Sequence, residues 1–452
     1  MKKAIYILSI SLLAFSCDAV FDVEPEASIS DEGAITNANS LNAALAGLYN
    51  QLQGNYYQGE LQIAADVSSD VAQSVGTWDF YREMDTYVIS PDNIEVRDLW
   101  AAMYETVNQA NNIIEGVTTV EDATQEALDR ALGEAYFARG LAFFDLARLF
   151  GGVPNVYGEL GIALPLEPSR SPVLYSRASM TETWAQIESD LTNALDLLPE
   201  DGFPARASKA AARALLARYY LYVQDYPQAS TYASQVIDDP NFELVDDVVD
   251  VFKVKNTAEA IFELQFDATD PNSIRTWYIP GALGGRGDLA AHDEFYESIP
   301  NNDARKQLFA FDESSMFWYP TKHETPANAD NLQIIRLAEM YLTRAEADYL
   351  RGAGDPLADL NAVHTRAGLD PLPAINSLDD ILNERKVELC FEGHRWFDLT
   401  RTGKALDVLS SVPRSNAPGA PAMLNEAGRQ VFPIPNAERN ANPEMQQNPA
   451  YN

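Results

Sequence analysis

The stretch SKAAARALLARYYLYV (208–223), QDY (224–226) and PQASTYASQVI (227–237) decides how the chain folds. Two helical runs are separated by three residues, so they turn back on each other as an antiparallel hairpin. Leu216, Ala217, Ala229 and Ala233 give apolar and small surface where the helices meet. Tyr220 and Tyr226 fill the gaps that small residues leave, and Pro240 closes the unit. A second pair, Leu332 to Leu350 and Pro356 to Ala367, has the same design. One hairpin buries only part of its apolar surface, so such pairs must stack.

The hairpin resembles a tetratricopeptide repeat, and the helices upstream supply further, degenerate members of the stack. Leu99, Met103, Val107, Ala110 and Ile114 recur at spacings of three and four in a helix expected over Val96 to Val117. From Glu121 to Phe150, Ala131, Ala135, Ala138, Ala142 and Leu146 form a face that allows close packing, and Gly151, Gly152 and Pro154 stop the helix. Ser40 is the expected N-cap of a first helix reaching Gln53. Another helix is expected over Met180 to Leu198, after an extended loop at 151–179. Residues 241–330 break the pattern. Phe262, Leu264 and Phe266 alternate with Glu263 and Gln265 as in a strand. Glycines gather at Gly281, Gly284, Gly285 and Gly287, and aromatic residues gather around them. The expected fold class is mainly α: tetratricopeptide-like helical pairs forming a scaffold over about 40–240 and 331–452, with an irregular loop-rich lobe containing short strands inserted at about 241–330.

Ahead of this single domain (40–452), Lys2 and Lys3 precede an apolar run from Ala4 to Phe15. The run is too short to span a bilayer as a helix and reads as a signal peptide, 1–16. Ser16 before Cys17 marks a lipoprotein processing site. Cys17 is therefore the expected lipidation residue, and 17–39 a polar tether. Cys390, the other cysteine, falls in an apolar helical pattern as a buried free thiol. With 67 acidic against 32 basic residues, the formal net charge is −35. That field repels nucleic acid and disfavours strongly anionic polysaccharides.

Enzyme signatures do not emerge. His292, His323, His364 and His394 are scattered, with no His-Glu-x-x-His, and no Gly-x-Ser-x-Gly elbow is present. The glycines at 281–287 lack the Lys-Ser or Lys-Thr of a phosphate loop. No cysteine pairs suit zinc, and no EF-hand run suits calcium. No catalytic residue, metal ligand or cofactor is expected. A glycosidase needs only two placed carboxylates and stands as the enzymatic alternative.

Four segments in order resemble the SusD/RagB family of starch-binding outer-membrane lipoproteins. They are Cys17 with Pro25 and Ala44 to Tyr49; IRLAEMYL with RAEA (335–342 and 344–347); NERKVELCFEGHRWFDL (383–399); and FPIP (432–435) with Glu438, Asn442-Pro443 and Gln447-Asn448-Pro449. The resemblance implies capture of oligosaccharide or polysaccharide at the cell surface. It also implies an outer-membrane anchor and delivery to a TonB-dependent transporter of the SusC kind. Relatives of the RagB branch suggest peptide capture as an alternative. It implies that Arg395, Asp398 and Arg401 tie the last helices together, so that the acidic cluster around Glu388 and Glu392 is architecture and not catalytic.

Sugar rings present apolar faces to aromatic rings and hydroxyl rims to planar polar side chains. Two stretches combine these residue types. One contains Asp66, Asp70, Trp78, Asp79, Tyr81 and Arg82; the other contains Arg275, Trp277, Tyr278, Arg286, Trp318 and Tyr319. The resemblance implies that the ligand surface draws on both. Asp66 and Asp70, four apart, equally suit a solvated helix face. Any single ring equally suits the core, Trp78 least so because Gly76, Thr77 and Asp79 around it are loop-forming.

Overall fold

The computed structural model describes residues 34–171, 173–200, 202–412, 414 and 424–452. The signal peptide 1–16, Cys17 and the tether as far as residue 33 lie outside the described residues. The first helix, α1 (Ala38–Gln51), begins two residues before Ser40. Asn37 is its N-cap, accepting from the backbone of Asn39 and Ser40 (3.0 Å each), and Ser40 closes a capping box from the third helical position. Then follow α2 (Glu60–Val67), strand β1 (Ala72–Ser74), the short α3 (Asp79–Asp85), α4 (Ile94–Gly116) and α5 (Gln125–Leu146).

The alanine face of α5 (Ala131, Ala135, Ala138, Ala142) is buried, and two glycines on the opposite face also admit a close neighbour. A side chain at Gly140 or Gly133 would strike Leu191 or Leu198, so α5 lies close against α6 (Met180–Leu197). The deciding hairpin forms α7 (Lys209–Tyr222), capped by Ser208, and α8 (Tyr226–Ile237), capped by Asp225 with Pro227 in its first turn.

The second pair starts later than the periodicity suggests. Leu332–Arg336 is not helical: it is strand β6, antiparallel to β2 (Ala260–Leu264), with Leu264 opposite Leu332. Helix α9 (Leu337–Arg351) follows, then α10 (Pro356–Arg366), α11 (Leu378–Glu388) and α12 (Arg395–Arg401). Residues 332–336 look helical in isolation because Leu332, Ile335 and Arg336 continue the pattern of α9. The ladder to β2, some seventy positions away, overrides it. Helices α4 to α10 pack each against the next in chain order, apart from the β-bearing excursion between α8 and α9, which pack on each other directly. The remaining strands are β3 (Leu289–Ala291), paired with β1, and the hairpin β4 (Phe309–Asp312) and β5 (Phe317–Pro320).

The glutamate-rich motif fastens the lobe to the helices. Buried Arg336 donates to Glu259 (2.6 Å), Glu388 (2.7 Å) and Glu392 (2.7 Å). Arg366 bridges Glu259 and Glu388, Arg305 reaches Glu384 and Glu388, and Lys322 reaches Glu392 (2.7 Å). Burial opposes ionisation of Glu388, yet Arg366, Arg336 and Arg305 outweigh it and hold the carboxyl well below its usual range. Helix α11 stops at Glu388. Phe391 and Gly393 adopt left-handed backbone, with Gly393 against the backbone of Gln62. Glu392 thus reaches the cluster from a turn. Farther along, Asp398 binds Arg385 (2.9 Å) and Arg401 (2.7 Å), and Arg401 also pairs with Glu346 (2.6 Å). Cys390 is buried and free, its thiol pushed up to about 11 by burial.

Removing one member of such a network leaves opposite charge uncompensated in the interior. Glu388→Gln is expected to cost about 3–5 kcal/mol in urea unfolding. A loss no larger than that of an exposed pair, about 1 kcal/mol or less, would show that the network does not hold the fold.

Candidate functional site

The site grows from a three-residue strand contact. β1 runs antiparallel to β3, with Ser74 opposite Leu289. Pairing continues past the strands: the N–H groups of Val75 and Gly76 both donate to the carbonyl of Asp288 (2.8 and 2.9 Å). A Cβ at Gly76 would lie 1.9 Å from the Asp288 carboxylate, so only glycine permits this approach. The chain leaving β1 is thereby laid beside the chain entering β3, and Trp78 beside Arg286. A helical turn, Ile274–Tyr278, brings Trp277 to the same place.

There the rings of Trp78 and Trp277 meet at 5.4 Å between centroids and 48° between planes. The guanidinium of Arg286 lies over both, 5.1 Å from one centroid and 5.0 Å from the other, and its Nε donates to Asp288 at 2.6 Å. Phe80 meets Trp78 edge-on at 5.5 Å, and Tyr81 supports Trp277 edge-on at 4.9 Å. Both indoles are part-buried against the core and part-exposed. Arg275 donates to the carbonyls of Leu283 (2.6 Å) and Glu324 (3.1 Å), tying down the loop that carries Arg286.

Beneath the rings lie two carboxyl groups. Glu95 accepts from Trp78 Nε1 at 3.2 Å; Glu60 accepts from the Tyr81 hydroxyl at 2.7 Å and from Ser273 Oγ at 3.2 Å. The two carboxyls also hydrogen-bond each other. Burial, reinforced by Glu95, pushes Glu60 up to about 8, so the pair keeps a shared proton near neutrality.

Two predicted stretches thus meet, but not residue for residue. Trp78 and Trp277 form the exposed platform. Asp79 and Arg82 pair with each other on the first turn of α3, at its rim. Tyr81, Tyr278 and Tyr319 are buried: Tyr81 under Trp277, Tyr278 edge-on to Phe391. Trp318 lies in a second aromatic cluster. Tyr296 stacks on it at 3.6 Å, Phe311 lies 5.0 Å away, and Lys306 covers the ring of Tyr296. Trp318 is half-buried, as Trp78 and Trp277 are, but its cluster on the β4–β5 hairpin is separate from theirs. Asp66 and Asp70 do not form a solvated face. Asp66 is interior at the end of α2, and Asp70 binds Arg395 and Lys386 (2.7 Å each), joining β1 to the last helices.

Phe80, Glu60, Glu95 and Asp288 were not foreseeable as members. Asp288 stands two residues from Arg286, but Gly287 between them is left-handed (φ 64°), so no strand alternation announces that the two side chains meet. Surface concavities also lie elsewhere: one of about 440 Å³ between α1 and α4 is lined by Ile35, Gln109, Thr118 and Arg170, among others, and one of about 800 Å³ includes Phe203 and Phe242. Among the described residues, no group of three or more His, Cys, Asp or Glu is placed to hold a metal ion, and no helix is long and apolar enough to cross a membrane.

Two family models match the chain. One, described as starch-binding and associating with the outer membrane, covers residues 21–221; the other, described as the SusD family, covers residues 310–451. The chain belongs to the SusD/RagB family, whose SusD-like members are binding proteins without catalytic activity. A SusD-like protein of Bacteroides ovatus is 25% identical over 88% of this chain and 82% of its own length. The starch-binding protein SusD of Bacteroides thetaiotaomicron is 31% identical over 133 residues, 29% of this chain and 23% of that one. The crystal structure of a SusD superfamily protein from Bacteroides vulgatus, 26% identical, matches with a TM-score of 0.81 over 92% of this chain and 99% of that one.

The shared proton has a measurable consequence. The folded carboxyl of Glu60 holds its proton more tightly than an unfolded glutamate. Its contribution to stability is therefore full below about 4.5 and is lost as pH rises through about 8. Glu60→Gln is expected to flatten the decline in unfolding free energy between about pH 4.5 and pH 8 relative to the native chain. An unchanged slope would sink the shared-proton assignment.

Proposed function

We infer that this protein captures glycan on the platform formed by Trp78 and Trp277. One observation carries the inference: two part-exposed indoles in contact, rimmed by the planar polar groups of Arg286, Asp79 and Arg82. Indole faces suit the apolar faces of sugar rings, while guanidinium and carboxylate suit the hydroxyl rim. The family description as starch-binding supports the same ligand class. A neutral oligosaccharide or polysaccharide fits the net charge of −35 better than an anionic one. Within a single domain of 40–452, the lobe at 241–330 supplies half of the platform and the segment after β1 the other half. Anchoring through Cys17, exposure on the cell exterior and delivery to a SusC-like TonB-dependent transporter follow from the family resemblance. Capture of peptides, as in the RagB branch, is the second reading, and an exposed aromatic pair suits it less well than it suits sugar.

The test is retention in affinity gels containing starch, laminarin, mannan or inulin, with reducing ends assayed in parallel. Retardation without new reducing ends is expected. Trp78→Ala and Trp277→Ala should each weaken retention about tenfold or more, at a stability cost of about 1–2 kcal/mol because the rings are only part-buried. Trp318→Ala should leave retention unchanged. Release of sugar, or indifference of binding to both platform rings, would overturn the proposal.

A further inference from the structure

The geometry points to Arg286 as the group that reads the hydroxyls of the bound sugar, and to Asp288 as the group that confines this site to uncharged glycans. The inference rests on the glycan-capture reading above. Trp78, Trp277 and the Arg286 guanidinium make a near-equilateral triangle with sides of 5.4, 5.1 and 5.0 Å. A guanidinium over two indoles is held by its own cation–π attraction. Nε is taken by Asp288 at 2.6 Å. Among the described residues Asp288 is its only hydrogen-bond acceptor, and the side chain remains 42% exposed. Both Nη groups therefore have N–H bonds to donate at the edge of the ring platform.

A planar fork of donors fits two kinds of ligand equally well in shape: a pair of neighbouring hydroxyl oxygens, or the two oxygens of a carboxylate or sulfate ester. Charge separates them. Asp288 already neutralises the guanidinium, and Arg82 is neutralised by Asp79. The proton shared by Glu60 and Glu95 still leaves that pair one negative charge directly behind Trp78. With Arg275, held only by backbone carbonyls, set against the Glu60–Glu95 pair, the rim has no net positive charge, and an anion at Arg286 meets a guanidinium already compensated and the repulsion of Asp288. A diol accepts the same two hydrogen bonds without that repulsion. The fork is also fixed beforehand, since the backbone N–H of Arg286 donates to Thr276 (2.7 Å) and Arg275 holds the preceding carbonyls.

The experiment takes the full mature chain and the neutral glucan it retains best, together with the carboxymethyl derivative of that glucan. The native chain should prefer the neutral polymer. Arg286→Gln should weaken its retention about tenfold, and Arg286→Lys should not restore it, because an ammonium lacks the planar fork. Asp288→Asn keeps the shape but removes the charge. It should raise affinity for the carboxymethyl polymer about tenfold and change the neutral one by about twofold or less, a shift in preference that a merely structural role would not produce. If Trp78→Ala weakens binding while Arg286→Gln does not, Arg286 only packs and the inference falls alone. It falls likewise if Asp288→Asn leaves the preference unmoved, or if the native chain already prefers the charged polymer. If no glycan is retained, or if Trp78→Ala changes nothing, the capture reading itself falls and takes the inference with it.

Discussion

Arg336 donates to carboxylates from two distant parts of the chain: Glu259 before β2, and Glu388 and Glu392 at the end of α11 and in the turn beyond it. Each of these charges is out of water, and none is tolerable there without the others. Desolvation of two buried ions commonly exceeds their attraction, so such a network is weak evidence of added stability and stronger evidence of specified geometry. It fixes where β6 turns into α9, and with it the register of β6 on β2. Lys322 and Arg305 extend the network into the region around the β4–β5 hairpin. The lobe therefore cannot shift against the helices without stripping partners from several buried charges at once.

The platform inherits that rigidity through short backbone contacts. Neither indole is held by a long element. Trp78 follows a three-residue strand, and Trp277 sits on a five-residue helical turn. What positions them is the closeness of two chains at Gly76 and Asp288, together with Asp70, which anchors the far end of the same segment to Arg395 and Lys386. Asp70 is thus part of the support for the site and no part of its surface. Burial alone would raise its carboxyl, but Arg395 and Lys386 win and keep it ionised below its usual range.

Local patterns in the chain announce the helices well, because helices are local. Ser208 caps where a cap was needed, and the alanine face of α5 is buried, as its period implies. Errors fall where the deciding partner is remote. Leu332–Arg336 continues a helical period and is a strand because of β2. The helix through NERKVEL stops at Glu388, and Gly393 in the turn beyond it lies against Gln62, more than 300 positions earlier. Asp66 and Asp70 look solvated and are interior, since Arg395 stands more than 300 positions away. The same limit governs the site: Trp78 was readable from its loop-forming neighbours, whereas nothing near Glu60 or Glu95 signals that they meet.

Charge ties the scaffold to the ligand class. Basic residues are few, and many are interior: Arg139, Arg148, Arg218, Arg305, Arg336, Arg385, Arg395, Arg401 and Arg414 are all buried, each beside a carboxylate. Interior pairs cancel locally, so the excess of 67 acidic over 32 basic residues is expressed on the outside. The surface that meets solvent is consequently poorer in cations than composition suggests. On such a surface a part-exposed guanidinium between two indoles is conspicuous, and its pairing with Asp288 compensates the charge it would offer an anion. A scaffold that keeps its arginines inside to join helices thereby leaves an outside on which apolar ring faces and neutral hydroxyls are the ligand features it can bind without electrostatic penalty.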